Sequence, residues 1–174
     1  MNLPSFSAMP WKWYGLALLV IVVDQITKQS IVGSLGLYEQ DKITSFFYLT
    51  LRHNPGAAFS MFADFGGAQR YFLGALAAIV SVVLAVWIAR LPKSNRMEAC
   101  ALALILGGAL GNLYDRVLLG HVVDFLVVHY QGHEWPAFNV ADAGISMGAV
   151  LLIYDALFSR NKEKRAKTEV KAHD

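Results

Sequence analysis

Tyr71-Phe-Leu-Gly-Ala-Leu-Ala-Ala-Ile-Val-Ser-Val-Val-Leu-Ala-Val-Trp-Ile-Ala89 is an uncharged apolar run, and it decides the fold class of this chain. At about 1.5 Å per residue, a helix of this length crosses a hydrocarbon core about 30 Å thick. Of the 174 residues, 56% are hydrophobic and only 16% are charged, whereas soluble domains average roughly 25% charged residues. The run therefore predicts a transmembrane helix.

Three further apolar segments complete a predicted membrane all-α fold with four transmembrane helices. The predicted spans are residues 11–32, 71–90, 98–119 and 139–159. A cleavable secretory signal peptide is the alternative for the first span. Asp24 and Lys28 stand where its small-residue cleavage site would begin, which disfavours that alternative. Since the sequence has no repeat or low-complexity linker, residues 1–174 are expected to form one integral membrane domain.

The distribution of basic residues predicts the orientation, because cytoplasmic loops carry an excess of Lys and Arg. Ten of them lie at the N-terminus, between the second and third spans, and in the tail 160–174. The loop 33–70 carries three and the loop 120–138 carries none. Both termini, including the basic tail, are therefore expected in the cytoplasm. A net charge of +2 without a basic stripe argues against a nucleic-acid partner.

The two outer loops contain stretches that are typical of β-strands. Within residues 42–52, a period of two suits a half-buried strand: one set, Ile43, Ser45, Phe47, Leu49 and Leu51, alternates with the other, Thr44, Phe46, Tyr48 and Thr50. Residues 122–129 are a second β-prone stretch. We expect a small extracytoplasmic β-sheet on the outer membrane surface.

Ionisable residues in or near the predicted spans gather in the outer leaflet. Asp24 lies late in the first helix, and Asp115 and Arg116 lie late in the third, both of which run outward. Asp142 lies early in the inward-running fourth helix, about 27 Å from its cytoplasmic end at 1.5 Å per residue. Asp124 follows the third span by a few residues. Charges at such depth are costly and usually mark a functional site.

A structural role explains Asp142 more easily than Asp124. Asp142 stands three residues after Asn139, the spacing of a capping box, in which both side chains bond free amides at a helix start. Asp124 lies within the apolar run from Val122 to Leu126, where burying a carboxylate without a partner is costly. A capping role therefore stays open for Asp142, while Asp124 points to a functional site.

For two pairs of charged residues, the spacing in the sequence favours a structural role. Asp24 and Lys28 have the i, i+4 spacing of a helical ion pair, and we prefer this interpretation to a functional one. Asp115 is expected to pair with the neighbouring Arg116 or to extend towards the interface.

A pair of close carboxylates is the chemistry that this inventory serves best. Two such groups share one proton, so that one can take a proton from water while the other polarises a peptide carbonyl. Spacing alone leaves open which acids form the pair. A zinc protease requires His-Glu-x-x-His, whereas His129 and His133 are separated by Tyr, Gln and Gly. Serine catalysis needs a base beside the nucleophile, and neither Ser60 nor Ser146 has an evident one. Cys100 is expected near the cytoplasmic end of the third helix, far from the acids, where it packs in the core.

Two polar segments belong to the same leaflet. Asn54 begins Asn54-Pro-Gly-Ala-Ala-Phe59, whose Gly56 and Ala57 would let a peptide backbone approach closely, although a plain turn is the alternative. Asn112 lies one helical turn before Arg116. Both side chains are therefore expected to face the same cavity.

Five sequence blocks follow one another along the chain: Asp24-Gln-Ile-Thr-Lys28, Asn54-Pro-Gly-Ala-Ala-Phe59, Gly108-Ala-Leu-Gly-Asn-Leu-Tyr-Asp-Arg116, Val123-Asp124-Phe125 and Phe138-Asn-Val-Ala-Asp142. In this order they resemble those of the bacterial lipoprotein signal peptidases, also called signal peptidase II. The resemblance implies that Asp124 and Asp142 form a catalytic dyad without a metal or an organic cofactor. It also implies a set of substrate-binding or supporting residues: Asn54, Gly56, Asn112, Asp115, Arg116, Asn139, Asp24 and Lys28.

The resemblance further implies the substrate and the location. The expected substrates are prolipoproteins whose cysteine carries diacylglycerol, and the cleaved bond lies just before that cysteine. Globomycin-type peptide inhibitors are expected in the same groove, and membrane lipids around the helices. The expected location is the bacterial inner membrane, with the active site near the periplasmic face. A small proton-coupled transporter or channel is the alternative function, since buried carboxylates also serve proton relays.

The sequence departs from the family pattern directly after Asp142. A hydroxyl or thiol residue followed by Ala is expected there, but the chain has Ala143 and Gly144. This puts in doubt a hydrogen bond from the following side chain to Asp142. Gly144 is also expected to loosen the first turn of the helix.

Overall fold

Four long helices and a small sheet make up the computed structural model, which describes residues 9–56 and 68–173. The elements, in chain order, are α1 (Trp11–Ser34), β1 (Gln40–Lys42), β2 (Phe47–Asn54), α2 (Ala68–Arg90), α3 (Arg96–Leu118), β3 (Val122–Tyr130), β4 (His133–Glu134) and α4 (Val140–His173). The predicted fold class is confirmed. Ala57 and Ser60, which the sequence singled out, lie outside the described residues.

Each of the four helices contains a segment that is long and apolar enough to cross a membrane. These segments are Trp11–Ser34, Gln69–Arg90, Arg96–Leu118 and Val140–Phe158. Large apolar side chains such as Leu18, Ile79 and Val150 lie on the outside of the bundle, as lipid contact requires. Beyond Phe158, α4 continues through the basic segment as far as His173, since residues 160–173 are rich in Lys, Glu and Ala and contain no Pro or Gly.

Helix α3 lies at the centre of the bundle and packs against α1, α2 and α4. Glycines on α3 allow the close approach. A methyl group at Gly108 would overlap the carbonyl oxygen of Ala141 on α4, and one at Gly111 would lie 2.8 Å from Oδ2 of Asp24 on α1. The small residues therefore bring the acidic residues of α1 and the start of α4 against the same end of α3.

The sheet lies at the end of the bundle where α1 and α3 end and α4 begins. Its strand order is β1-β2-β3-β4, and all neighbouring strands are antiparallel. The pairing of β2 with β3 places Arg52 opposite Asp124 and Asn54 opposite Val122. The end of β2 is thereby held beside the beginning of β3.

One predicted strand is wrong in part. Residues 42–52 were expected to form a single strand, but β1 ends at Lys42 and β2 begins at Phe47. The amides of Ile43 and Thr44 both donate to the carbonyl of Phe47, which closes a hairpin turn. A period of two in the side chains cannot distinguish a strand from a strand end followed by a tight turn. The second predicted strand, residues 122–129, is present as β3.

Candidate active site

Asp142 occupies the first turn of α4 and forms a capping box with Asn139. The amide of Asp142 donates to Oδ1 of Asn139 (2.9 Å), and the amide of Asn139 donates to Oδ2 of Asp142 (3.2 Å). The other carboxylate oxygen of Asp142 accepts a hydrogen bond from Nδ2 of Asn112 (2.8 Å). Asp142 therefore caps its helix and at the same time meets a side chain of α3.

Asp124 is buried on β3 and is held by two amide side chains. Nδ2 of Asn54 donates to its Oδ2 (2.9 Å), and Nδ2 of Asn139 donates to its Oδ1 (2.7 Å). Asn139 is fully buried and thus joins the two carboxylates, since its side chain contacts Asp124 and its backbone contacts Asp142. The sheet and the start of α4 meet at this residue.

Burial raises the pKa of Asp124 to about 7, and the nearby charge of Asp142 acts in the same direction. The hydrogen bonds from Asn54 and Asn139 act in the opposite direction but are weaker causes. A carboxyl group with this pKa keeps its proton up to about pH 7, which allows it to act as a general acid there.

Both aspartates line one cavity of about 820 Å³. The cavity is also lined by Asn112 and Arg116, as the sequence predicted, and by Asn54 and Gly56. Arg116 donates through Nη1 to the carbonyl of Asn112 (3.2 Å) and through Nη2 to the carbonyl of Gly56 (3.5 Å). Within the described residues its buried Nε has no hydrogen-bond partner. The cavity therefore combines two carboxylates with a guanidinium whose Nε finds no partner in the described part of the chain.

The remaining supporting residues form a buried cluster behind Asn112. Lys28 lies 2.7 Å from Asp24 and 2.8 Å from Asp115. The predicted pairing of Asp115 with Arg116, or its extension to the interface, is wrong, because Asp115 is only 1% exposed and pairs with Lys28. The pair of Asp24 and Lys28 is present, but it belongs to a cluster of two helices rather than to one helix.

Sequence reasoning missed Gln25 and the loop before α4. Nε2 of Gln25 donates to Oδ1 of Asp115 (2.9 Å) and to Oδ2 of Asp24 (3.2 Å), which connects the two acids. An amide side chain beside Asp24 in an apolar span was a signal that could have identified it. No signal in the sequence marked several of the further residues that line the cavity, among them Tyr38, His53, Trp135, Pro136, Ala137 and Ile145.

Ala143 and Gly144, the two residues that depart from the family pattern, bring no polar side chain to Asp142. Ala143 lines the cavity without a polar side chain, and the carboxylate of Asp142 takes its hydrogen bonds from Asn112 and Asn139 instead. A methyl group at Gly144 would lie 3.3 Å from Cγ1 of Val20 on α1. Gly144 therefore lies where α4 approaches α1 closely.

A metal centre has no support in the described part of the chain, where no group of three or more His, Cys, Asp or Glu side chains is placed to hold an ion. His129 lies against the ring of Tyr48 (5.5 Å between centroids). His53 instead stacks on His121 (3.9 Å between centroids).

Comparison with known proteins identifies the family. The sequence pattern of the family described as Signal peptidase (SPase) II matches residues 16–158. The chain belongs to the signal peptidase II family. It is therefore a peptidase and, with its four apolar helices, a multi-pass membrane protein. This assignment sets aside the alternative of a proton-coupled transporter or channel.

Similar proteins cover nearly the whole chain. A protein of Teredinibacter turnerae named lipoprotein signal peptidase is 65% identical over 153 residues, which are 88% of this chain and 91% of the relative. One of the same name from Cellvibrio japonicus is 54% identical over 152 residues, covering 87% and 89%. A solved structure described as a bacterial membrane enzyme has a TM-score of 0.76 and 29% identity, and the match covers 90% of this chain and 92% of that one.

Proposed function

We propose that this chain is an aspartic endopeptidase that removes signal peptides from diacylglyceryl-modified prolipoproteins, and that Asp124 and Asp142 are its catalytic dyad. Membership of the signal peptidase II family supplies the class of enzyme, and relatives named lipoprotein signal peptidase suggest the substrate. The observation that carries the proposal is the convergence of two carboxylates, from β3 and α4, on one cavity through Asn139.

The proposed reaction needs one ionised and one protonated carboxylate. The ionised carboxylate takes a proton from water as the water oxygen attacks the peptide carbonyl carbon, and the protonated carboxyl gives its proton to the carbonyl oxygen. The resulting gem-diol collapses when the first carboxyl protonates the departing nitrogen and the second recovers a proton from a hydroxyl. The products are the signal peptide with a new carboxyl terminus and the lipoprotein with the amino group of its lipidated cysteine.

The peptide backbone of the substrate is proposed to contact Arg116, Asn112 and Gly56. Nε of Arg116 is a buried donor without a partner in the described residues, and burying such a donor is unfavourable until a ligand satisfies it. A carbonyl oxygen of the substrate is a suitable acceptor. A globomycin-type peptide carries similar carbonyl groups, so we propose that it occupies the same cavity.

The proposed location is the inner membrane of a bacterium, with both termini in the cytoplasm and the cavity near the periplasmic face. The support comes from the basic residues, which are concentrated at the termini and between α2 and α3. The aspartates and the sheet lie at the opposite end of the bundle. A lipid-modified cysteine anchored in the outer leaflet would then reach the cavity from the side.

The test of this function is the chemical identity of the products. Purified protein in lipid nanodiscs is incubated with a diacylglyceryl-prolipoprotein and with the same prolipoprotein lacking the lipid, and the products are measured by mass spectrometry. We expect one cut directly before the cysteine, in the lipidated substrate only, with full activity in EDTA and inhibition by globomycin. Equal cleavage of the unlipidated protein, a cut elsewhere, or inactivation by EDTA would contradict the proposal.

A further inference from the structure

Lys28 makes three contacts inside the bundle, and each one leads to a member of the proposed dyad. It is 1% exposed, and its Nζ lies 2.7 Å from Oδ2 of Asp24, 2.8 Å from Oδ2 of Asp115 and 3.0 Å from Oδ1 of Asn112. An ammonium group has three N–H donors. All three are therefore used, and the side chain has one defined position.

Two of the three partners hold the backbone directly before a dyad residue. Oδ1 of Asp24 accepts a hydrogen bond from the amide of Ala141 (2.9 Å), the residue before Asp142. Oδ2 of Asp115 accepts one from the amide of Val123 (3.2 Å), the residue before Asp124. The ammonium thus ties together the two carboxylates that position β3 and α4.

The third partner, Asn112, contacts a dyad carboxylate itself. An amide side chain has an acceptor at one end and donors at the other. Because the oxygen of Asn112 faces Lys28, its nitrogen faces Asp142 and donates to Oδ1 of that residue (2.8 Å). The positive charge on Lys28 also polarises the amide, which strengthens this donor.

The charges near the two aspartates are unequal. Among the described residues, Asp142 lies near Arg116 on α3 and Asp124 on β3, and it is linked to Lys28 on α1 through Asn112. Asp24 on α1 and Asp115 on α3 flank Lys28 and offset part of its charge. Arg116 interacts electrostatically with both aspartates, and more strongly with Asp142. Asp142 also lies in the first turn of α4, where the helix dipole favours a negative charge. Asp124 lies on a strand, and Lys28 is only a minor influence on it.

We propose that Lys28 is a positioning residue that, through Asn112, keeps Asp142 ionised as the general base and leaves the shared proton on Asp124 as the general acid. The inference rests on the proposed function and adds the direction of proton transfer. Asp142 takes the proton of the attacking water, and Asp124 protonates the carbonyl oxygen. When the gem-diol collapses, Asp142 gives its proton to the departing amine, and Asp124 regains a proton from one of the two hydroxyls.

The experiment separates positioning from charge balance. Lys28→Met leaves two buried carboxylates without their cation and is expected to fold poorly. The double variant Lys28→Met/Asp24→Asn removes one positive and one negative charge, so the cluster keeps its net charge but lacks the donor to Asn112. The remaining carboxylate, Asp115, keeps its hydrogen bonds from Gln25 and from the amide of Val123. Lys42→Met, at an exposed position of β1, is the matched control. Each protein is compared by thermal unfolding and by kcat and KM on the diacylglyceryl-prolipoprotein as a function of pH.

The double variant is expected to fold, with a kcat about 10-fold to 100-fold below that of the wild type and a KM changed by less than about twofold. Its acidic limb of kcat against pH should move upward by roughly one pH unit, because a base without its charge-assisted donor ionises less readily. The control should match the wild type.

Two outcomes would overturn the inference. A wild-type kcat in the double variant means that Lys28 only balances charge. A reduced kcat with an unchanged acidic limb means that Lys28 supports the structure without acting on the base. Failure of the wild type to cut the lipidated substrate would instead refute the proposed function, so the two failures are distinguishable.

Discussion

Replacing Asp124 with Asn is expected to stabilise the folded protein above pH 7. The folded state holds the pKa of Asp124 at about 7, against an ordinary value of 3.8. Between these values the folded state binds a proton that the unfolded state has released, so the free energy of unfolding falls as the pH rises from about 4 to 7. Above pH 7 the full penalty of a buried carboxylate remains. An Asn at this position carries no such penalty.

The size of the effect follows from the same two values. Each pH unit corresponds to about 1.4 kcal/mol, so the difference amounts to about 4 kcal/mol above pH 7. An amide can accept from only one of the two donors, Asn54 and Asn139, and losing one hydrogen bond costs about 1 to 2 kcal/mol. We therefore expect a net gain of about 2 to 3 kcal/mol at pH 8 and a loss of about 1 to 2 kcal/mol at pH 4.

The assay is thermal unfolding of the purified protein in detergent between pH 4 and pH 8. Asp41→Asn is the matched control, because Asp41 is exposed on β1 and should change the midpoint little at any pH. If the Asp124→Asn variant were no more stable than the wild type at pH 8, or if its relative stability increased towards pH 4, the assignment of a buried, protonated carboxyl to Asp124 would be refuted.

Three further predictions concern the packing at Gly108, the side chain of Asn139 and the guanidinium of Arg116. Gly108→Ala should lower the free energy of unfolding by about 1 to 3 kcal/mol, because the added methyl overlaps Ala141. Gly15→Ala is the control in the same melting experiment. It should be neutral or slightly stabilising, because a methyl at Gly15 has no atom within 4 Å. Asn139→Ala should cost about 2 to 4 kcal/mol by loss of a helix cap and a buried hydrogen bond, and a denaturant titration with an unchanged midpoint would contradict this. Arg116→Lys should weaken globomycin binding about 10-fold, measured by calorimetry, and equal affinity would show that the guanidinium is not a ligand contact.

The helices and the location of the acids were predictable because both depend on local features. The run from Tyr71 to Ala89 is long and apolar enough to cross a membrane, and the chain direction then fixes which end of each helix carries its charges. The convergence of Asp24, Asp115 and Asp142 follows from that direction alone. A resemblance to a known family was needed to choose among them.

The contacts between elements were not predictable from spacing. Asp115 pairs with Lys28 on α1 rather than with Arg116 on its own helix. This pairing was not predictable, because sequence spacing reveals only neighbours within one element. The two interpretations of Asp142, helix cap or site residue, proved compatible, because Asn139 bonds it with backbone and side-chain groups and still reaches Asp124. Such a double role depends on the docking of β3 against α4, which no local pattern encodes.

The most direct test of the proposed dyad is the rate of cleavage by Asp124→Asn and Asp142→Asn at saturating diacylglyceryl-prolipoprotein, with Asp41→Asn as the control. Each dyad variant should fold, bind substrate and globomycin, and lose kcat by at least about 10²-fold to 10⁴-fold, while the control retains the wild-type rate. Cleavage at the wild-type rate by either dyad variant would show that its carboxylate is not required for the reaction.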